Sequence, residues 1–361
     1  LTIYLHPIPG VLNDINLTIK ARVSQYDLHT TWETRKMKSH CFTFKLKSLI
    51  LSLFKVLMCR IKKRKVPTKS ENFVCMKKHK PSFSLGTLDK DNIDEHISPY
   101  LSKGKRGPKP KLEKSQLVMI IHYRLKTGCQ WRKLPIKEFA EGVLVKWNSI
   151  YHHFRKWCND GSWKHIWTTL LARKKACLDL SSAQLDGSHT CSKGGGEAVG
   201  YQGRKASNTT NSLFIADNAG QMIAMSTPKK GSHHDLFEIE GSFKEMIDQL
   251  ESAGIDTRGI FLNADAGFDS KEFRGICIRG EIEPNIKANP RNAKHENQEE
   301  YCFDEELYKK RPVIERANAW IDGFKALIVR YEKTISSWIG LHWIAFTTMF
   351  INQINNQIRV V

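Results

Sequence analysis

Apolar positions along the chain fall into two regimes. From residue 76 to about 178 they recur every three or four residues: Leu117, Ile120, Ile121 and Leu125 predict a helix that begins near Ser115 and ends at Gly128. Trp147, Ile150, Tyr151, Phe154 and Trp157 repeat that spacing, a further amphipathic segment covers about 162–177, and a short helix is expected over Ile93 to Leu101. Between the second and third of these lies a Gly-containing turn, Lys126-Thr-Gly-Cys-Gln-Trp-Arg-Lys-Leu-Pro135. Helix, turn and aromatic helix form the outline of a helix-turn-helix unit, although any small helical bundle gives the same outline and its tryptophans also suit a core.

From about residue 182 the pattern shortens to strands. Ala183 to His189 reads as a strand and residues 192–208 as a Gly-rich basic loop. Residues 212–216 and 222–226 read as a strand pair joined by Asp217-Asn-Ala-Gly220. A helix over Leu236–Leu250 follows, then strands over Gly259–Asn263 and Glu281–Ile286 and a polar loop over 288–304. One long helix is expected from Glu305 to Tyr331 and an apolar one from Ser337 to Gln357. Strands that give way to alternating helices and strands imply an α/β fold, a mixed sheet flanked by helices, preceded by a small all-α domain. The domain reading is 1–75, 76–178 and 179–361.

Residues 1–75 share neither pattern. They hold 14 basic and 4 acidic residues and end in Ile-Lys-Lys-Arg-Lys65, against 57 basic and 37 acidic in all 361 residues. They read as a poorly structured basic extension, dispensable to the fold, with the protein's own start expected at Met76; the competing reading is a basic DNA-binding arm. The formal charge of +20 makes a polyanion, nucleic acid above all, the expected partner. Nine cysteines without a CxxC pair fit neither a disulfide framework nor a zinc ribbon, and no apolar run is long and uncharged enough to span a bilayer.

Three carboxylates are placed where elements end or present a face. Asp186 ends the first strand before Gly187, Asp265 lies just beyond the strand Ile260-Phe-Leu-Asn-Ala264, and Glu315 shares a helix face with Tyr308 and Arg311. Carboxylates from two strand ends and a helix can converge on hard divalent cations, as two-metal phosphoryl transfer requires. Taken singly, each also suits a structural role: Asp before Gly as a turn residue, Glu315 as a partner of Arg311 or Arg316. Asp269 is the rival of Asp265.

Gln184-Leu-Asp-Gly-Ser-His189, Asn263-Ala-Asp-Ala-Gly-Phe-Asp-Ser270 and Tyr308-x2-Arg311-x3-Glu315, in that order, resemble the DDE transposases of bacterial insertion sequences, of the insertion-sequence-five type. The turn at 126–135 and Gly231-Ser-His-His-Asp235 resemble further segments of that family. The resemblance implies a ribonuclease H-like catalytic domain that binds terminal inverted repeats, cleaves DNA and joins its 3′ ends to target DNA. It implies Asp186, Asp265 and Glu315 as catalytic residues and ligands of Mg²⁺, with Mn²⁺ as a substitute, and Tyr308 and Arg311 on the scissile phosphate. Where the family signature carries a basic residue beyond the glutamate this chain has Asp322, and Lys325 is the nearest replacement. Arg204 and Lys205 in the Gly-rich loop and Arg155 and Lys156 on the aromatic helix are the expected DNA contacts. The implied partners are double-stranded DNA and further copies of the chain, and the implied location is the bacterial cytoplasm, at the nucleoid. The alternative is a decayed or repurposed copy that binds inverted repeats without cutting them.

Overall fold

The computed structural model describes residues 88–104, 109–290 and 303–358. The expectations for residues 1–75 and for the centre of the basic loop at 105–108 lie outside the described residues.

The amino-terminal part is helical, and its ends follow from local chemistry. Helix α1 (Lys90–His96) is capped by Asp89, whose carboxylate accepts from the Asn92 amide. Helix α2 (Lys114–Thr127) opens with a reciprocal box between Glu113 and Gln116 and closes at Gly128, φ 69°, where an L side chain would be strained. A one-turn helix α3 (Ile136–Phe139) leads into α4 (Trp147–Asn159) and α5 (Ser162–Lys174). Phe154, Trp157, Trp163 and Trp167 are buried, so these aromatics are core. Trp147 is half-buried beneath the Arg132 guanidinium.

The strands form one mixed sheet. Strand β1 (Ala183–Ser192) runs antiparallel to β3 (Ser207–Ala216), and β2 (Gly200–Gln202), β5 (Lys229–Lys230) and β4 (Met222–Met225) line the outer edge of β3 in turn. On the other side of β1, β6 (Phe261–Ala264) and β7 (Glu283–Ile286) are parallel to it. Antiparallel β4-β3-β1 followed by parallel β6 and β7 is the arrangement expected of a ribonuclease H-like sheet. Helices α6 (Ile239–Ser252) and α7 (Lys271–Arg279) pack together through Phe243 and Phe273 and against β4 and β7.

The carboxy-terminal helix α11 (Ile335–Ile358) joins the two parts. It touches α4 and α5 on one side, with Phe346 and Phe350 against Trp167, and the sheet on the other, with His342 and Phe346 against Phe214. Its apolar residues are buried on several faces, as expected of a helix enclosed between layers. A buried ion pair adds to this junction, Arg124 of α2 meeting Glu332 at 2.8 Å.

Three expectations need correction. The long helix over Glu305–Tyr331 is three short ones, α8 (Glu305–Tyr308), α9 (Pro312–Ile321) and α10 (Lys325–Ile328), followed by strand β8 (Val329–Arg330). Pro312 has no amide to continue α8 and starts α9, while β8 is held extended by parallel pairing with Cys191 and Ser192 at the end of β1. The Gly-rich stretch 192–208 is not all loop, since β2 and the start of β3 pair within it. Helix α7 was not anticipated; Ser270 caps it by accepting from the Phe273 amide. Among the described residues no helix is long and apolar enough to cross a membrane.

Candidate active site

Strand register brings two of the three carboxylates to one level. In the parallel pair β1–β6, Gln184 is opposite Asn263, and Asp186 and Asp265 each follow two residues later. Adjacent strands are about 4.8 Å apart, so these two aspartates lie side by side, Asp265 just beyond the end of β6; Asp186, expected to end its strand, is instead inside β1, whose pairing with β3 carries it on to Ser192. Beyond Gln184 the β6 side of β1 is free of strand pairing until β8 joins at Cys191. Asp186 lies in that stretch, with its side chain towards Asn318.

A buried amide ladder holds this register. Asn263 donates to the Gln184 side chain at 3.0 Å, and Asn285 of β7 donates to Asn263 at 2.7 Å. The same amides reach the next segment: Asn263 donates to the Leu307 carbonyl, and Asn285 exchanges bonds with the backbone of Asp304. This docks α8 over β6 and β7 and sets where Tyr308 and α9 begin.

Arg311, Glu315 and Asn318 share the face of α9 that meets the strand ends, four and then three residues apart. Asn318 donates to Asp186 Oδ2 at 3.2 Å, Arg311 donates to Glu315 at 2.8 Å, and the Arg311 guanidinium lies 3.9 Å from Asp265. Burial pushes the Asp186 carboxyl up to about 6; Arg311 and the Gly187 amide pull it down, and the charges of Asp265 and Asp235 push it further up. Burial opposes the Arg311 charge, but the Glu315 bond and the fields of Asp186 and Asp265 override it and raise its pKa. Tyr308 faces the same centre: its hydroxyl pKa is raised, by burial first and then against the pull of Arg311, with Asp265 adding to the rise.

Arg311 is thus the cation that Asp186, Asp265 and Glu315 share. Among the described residues no three His, Cys, Asp or Glu side chains stand close enough together to hold a metal ion. The donor set nevertheless suits a hard divalent cation, being all oxygen, with Asp186 half-buried and the other two carboxylates exposed enough to turn.

The other predicted residues divide. Asp269 is committed elsewhere, 2.8 Å from buried Arg274 and accepting from the Asn289 amide, which favours Asp265 over its rival. Lys325 begins α10, with its backbone packed on Gly128, and its charge acts on Asp322. Lys205 donates to the His189 carbonyl, and both Arg204 and Lys205 act on the His189 ring, beside β1. Arg155 and Lys156 lie far along the chain in α4, in an open groove of about 780 Å³ lined also by Trp147, Tyr151, His152 and Asn159. Sequence reasoning missed Asn318 and Asp235. The first was legible as the next residue on the Arg311–Glu315 face. The second ends the Gly231–Asp235 segment that carries part of the resemblance, but only the tertiary structure brings it to β1.

Residues 91–167 match a family described as "Putative transposase of IS4/5 family", and residues 186–349 match the DDE superfamily endonucleases. No curated protein sequence matches the chain. Among solved structures it is similar to the piggyBac transposase synaptic complex with hairpin DNA, at 11% identity over 74% of this chain and 72% of that one, TM-score 0.38. It is also similar to the Mos1 transposase paired-end complex with left transposon end, at 11% identity over 68% and 79%, TM-score 0.23. The Mos1 mariner paired-end complex with Mn gives 12% identity over 68% and 80%, TM-score 0.23.

Proposed function

Because the chain belongs to the DDE transposases of the insertion-sequence type, we propose that it binds the terminal inverted repeats of a mobile element, cleaves there and joins the 3′ ends to target DNA. The observation that carries this reading is the pairing of Gln184 with Asn263, which sets Asp186 and Asp265 side by side facing Arg311, Glu315 and Asn318. Residues 76–178 serve as the DNA-binding part and 179–361 as the catalytic part, working as a homo-oligomer on DNA in the bacterial cytoplasm.

Asp186, Asp265 and Glu315 hold Mg²⁺, or Mn²⁺ in its place. The bound cations supply an activated water or 3′-hydroxyl and stabilise the leaving oxygen. The protein's own groups do the positioning. Asn318 restrains the Asp186 carboxylate by its bond to Oδ2. Arg311 already presents a partly buried fork at the centre, with Nε unpartnered, and a phosphate can accept from it bidentately when Glu315 turns away. Tyr308 offers a hydroxyl that stays protonated at neutral pH and can donate to the same phosphate. Arg204, Lys205 and Lys325 contact backbone phosphates near β1, and Arg155 and Lys156 those of the inverted repeat.

The test is a strand-transfer assay on oligonucleotide ends flanked by the element's repeats, with Mg²⁺. Wild type should cleave and join. Asp186→Asn should do neither while still binding the repeats. Repeat binding without cleavage by the wild type would instead identify a non-catalytic DNA-binding protein.

A further inference from the structure

Asp235 stands behind the strand that carries Asp186. Side chains alternate along β1, so Asp186 faces α9 while Gly187 and His189 face the other way, His189 opposite Asn211 of β3. On that rear face Asp235 Oδ1 accepts from Asn211 at 2.7 Å and lies 3.8 Å from the His189 ring. A Cβ built on Gly187 would overlap the Asp235 carboxylate. The glycine therefore lets a second carboxylate press against the backbone next to Asp186, close enough for its charge to act there.

The segment bearing Asp235 is held firmly. Strand β5 pairs with Thr210 and Asn211, and a Cβ on Gly231 would overlap Thr209. Such close fitting brings together two carboxylates that repel, and the partners of Asp235, Asn211 and His189, are an amide and an imidazole rather than a lysine or arginine. The Asp235 charge adds to that of Asp186, and the repulsion between the two is relieved when a cation rests on Asp186.

We infer that Asp235 is a positioning residue for the cation site: from the rear of β1, through the space left by Gly187, it fixes the Asp186 backbone and adds negative charge beneath the bound cation. The inference rests on the reading of Asp186 as a cation ligand. Outer groups of this kind commonly change metal affinity by about 10–100-fold.

The experiment uses the full chain and Mn²⁺ alone, followed by titration calorimetry, with metal-free melting temperature as a second readout. Asp235→Asn keeps the shape and the bond to Asn211 and should weaken Mn²⁺ binding roughly tenfold with little change in melting. Asp235→Glu should recover part of that loss. Gly187→Ala, which displaces the carboxylate without removing it, should weaken binding in the same direction. Unchanged Mn²⁺ affinity in Asp235→Asn, with binding abolished in Asp186→Asn, would overturn the role of Asp235 alone. Lower melting with unchanged affinity would reduce it to a structural contact and overturn it too. Unchanged affinity in Asp186→Asn would overturn the cation site itself.

Discussion

Replacing Arg124 with Met should destabilise the protein severely, and the structure says why. Arg124 of α2 and Glu332 are almost fully buried and meet through one bond of 2.8 Å; Arg124 Nε and Nη1 and Glu332 Oε2 have no other partner. The guanidinium also lies 5.3 Å from the Trp131 ring. Removing it strands a carboxylate in the junction between α2 and the end of β8, a loss of about 3–5 kcal/mol for one partner of a buried pair. For a unit of this size that corresponds to roughly 10 °C in melting temperature.

Burial already pushes the Glu332 carboxyl above its ordinary value, with Arg124 the main opposing influence. In Arg124→Met the carboxyl should rise further, so the folded state binds a proton more tightly than the unfolded one. Stability from that proton is present at low pH and lost as pH rises through the folded pKa. The penalty of the variant should therefore be greatest near pH 8 and shrink as pH falls. Urea denaturation of the two single variants and the Arg124→Met/Glu332→Leu double variant forms a cycle: the double should recover to within about 1 kcal/mol of wild type, because a poorly satisfied buried pair adds little net stability. A single-variant loss that does not vary with pH, or a double variant that loses the sum of both, would refute the reasoning.

The other predictions are narrower. Asn263→Leu breaks the amide ladder and leaves the Gln184 side chain and the Leu307 carbonyl without this donor; it should cost roughly 3 kcal/mol in urea melts and reduce cleavage more than repeat binding. His342, fully enclosed among Trp338, Phe214 and Phe346, has its imidazole pKa lowered to about 4, by burial above all. The unfolded chain takes up the proton first, so stability present above about pH 6.5 should be lost as pH falls toward 4, by up to about 3 kcal/mol, and His342→Leu should flatten that slope in melting curves. Arg155→Ala/Lys156→Ala should weaken repeat binding and lower the steepness of its salt dependence by about one or two counterions, read from affinity against salt concentration.

How far the sequence carried depended on the range of the interactions that decide each element. Helices α2, α4 and α5 were readable because their apolar spacing and the stop at Gly128 are local. The α/β class was readable because short apolar runs between turn residues have few other uses. The helix over 305–331 was misjudged because its period persists through Val313, Ala317, Trp320, Phe324 and Ile328, while the breaks come from Pro312 and from pairing of β8 with a strand more than a hundred residues away. Likewise β2 and the start of β3 are polar, Gly-rich sequences held as strands by their partners rather than by propensity.

The site shows the same division between residue identity and residue placement. Asp186 and Asp265 stand out beside apolar strand runs, although β1 runs on past Asp186 and only Asp265 follows its strand, and nothing local says that their strands are neighbours; the buried contact of Gln184 with Asn263 does, and both lie two residues before the aspartates they align. Buried amides that bond to one another penalise a slipped register, since a shift by one residue would cost Gln184, Asn263 and Asn285 these bonds inside the sheet. The ladder also fastens Asp304 and Leu307, and with them the start of α9. A single buried polar feature therefore fixes both strands and the helix whose side chains face them, which is why motifs separated by 79 and 50 residues can act as one centre.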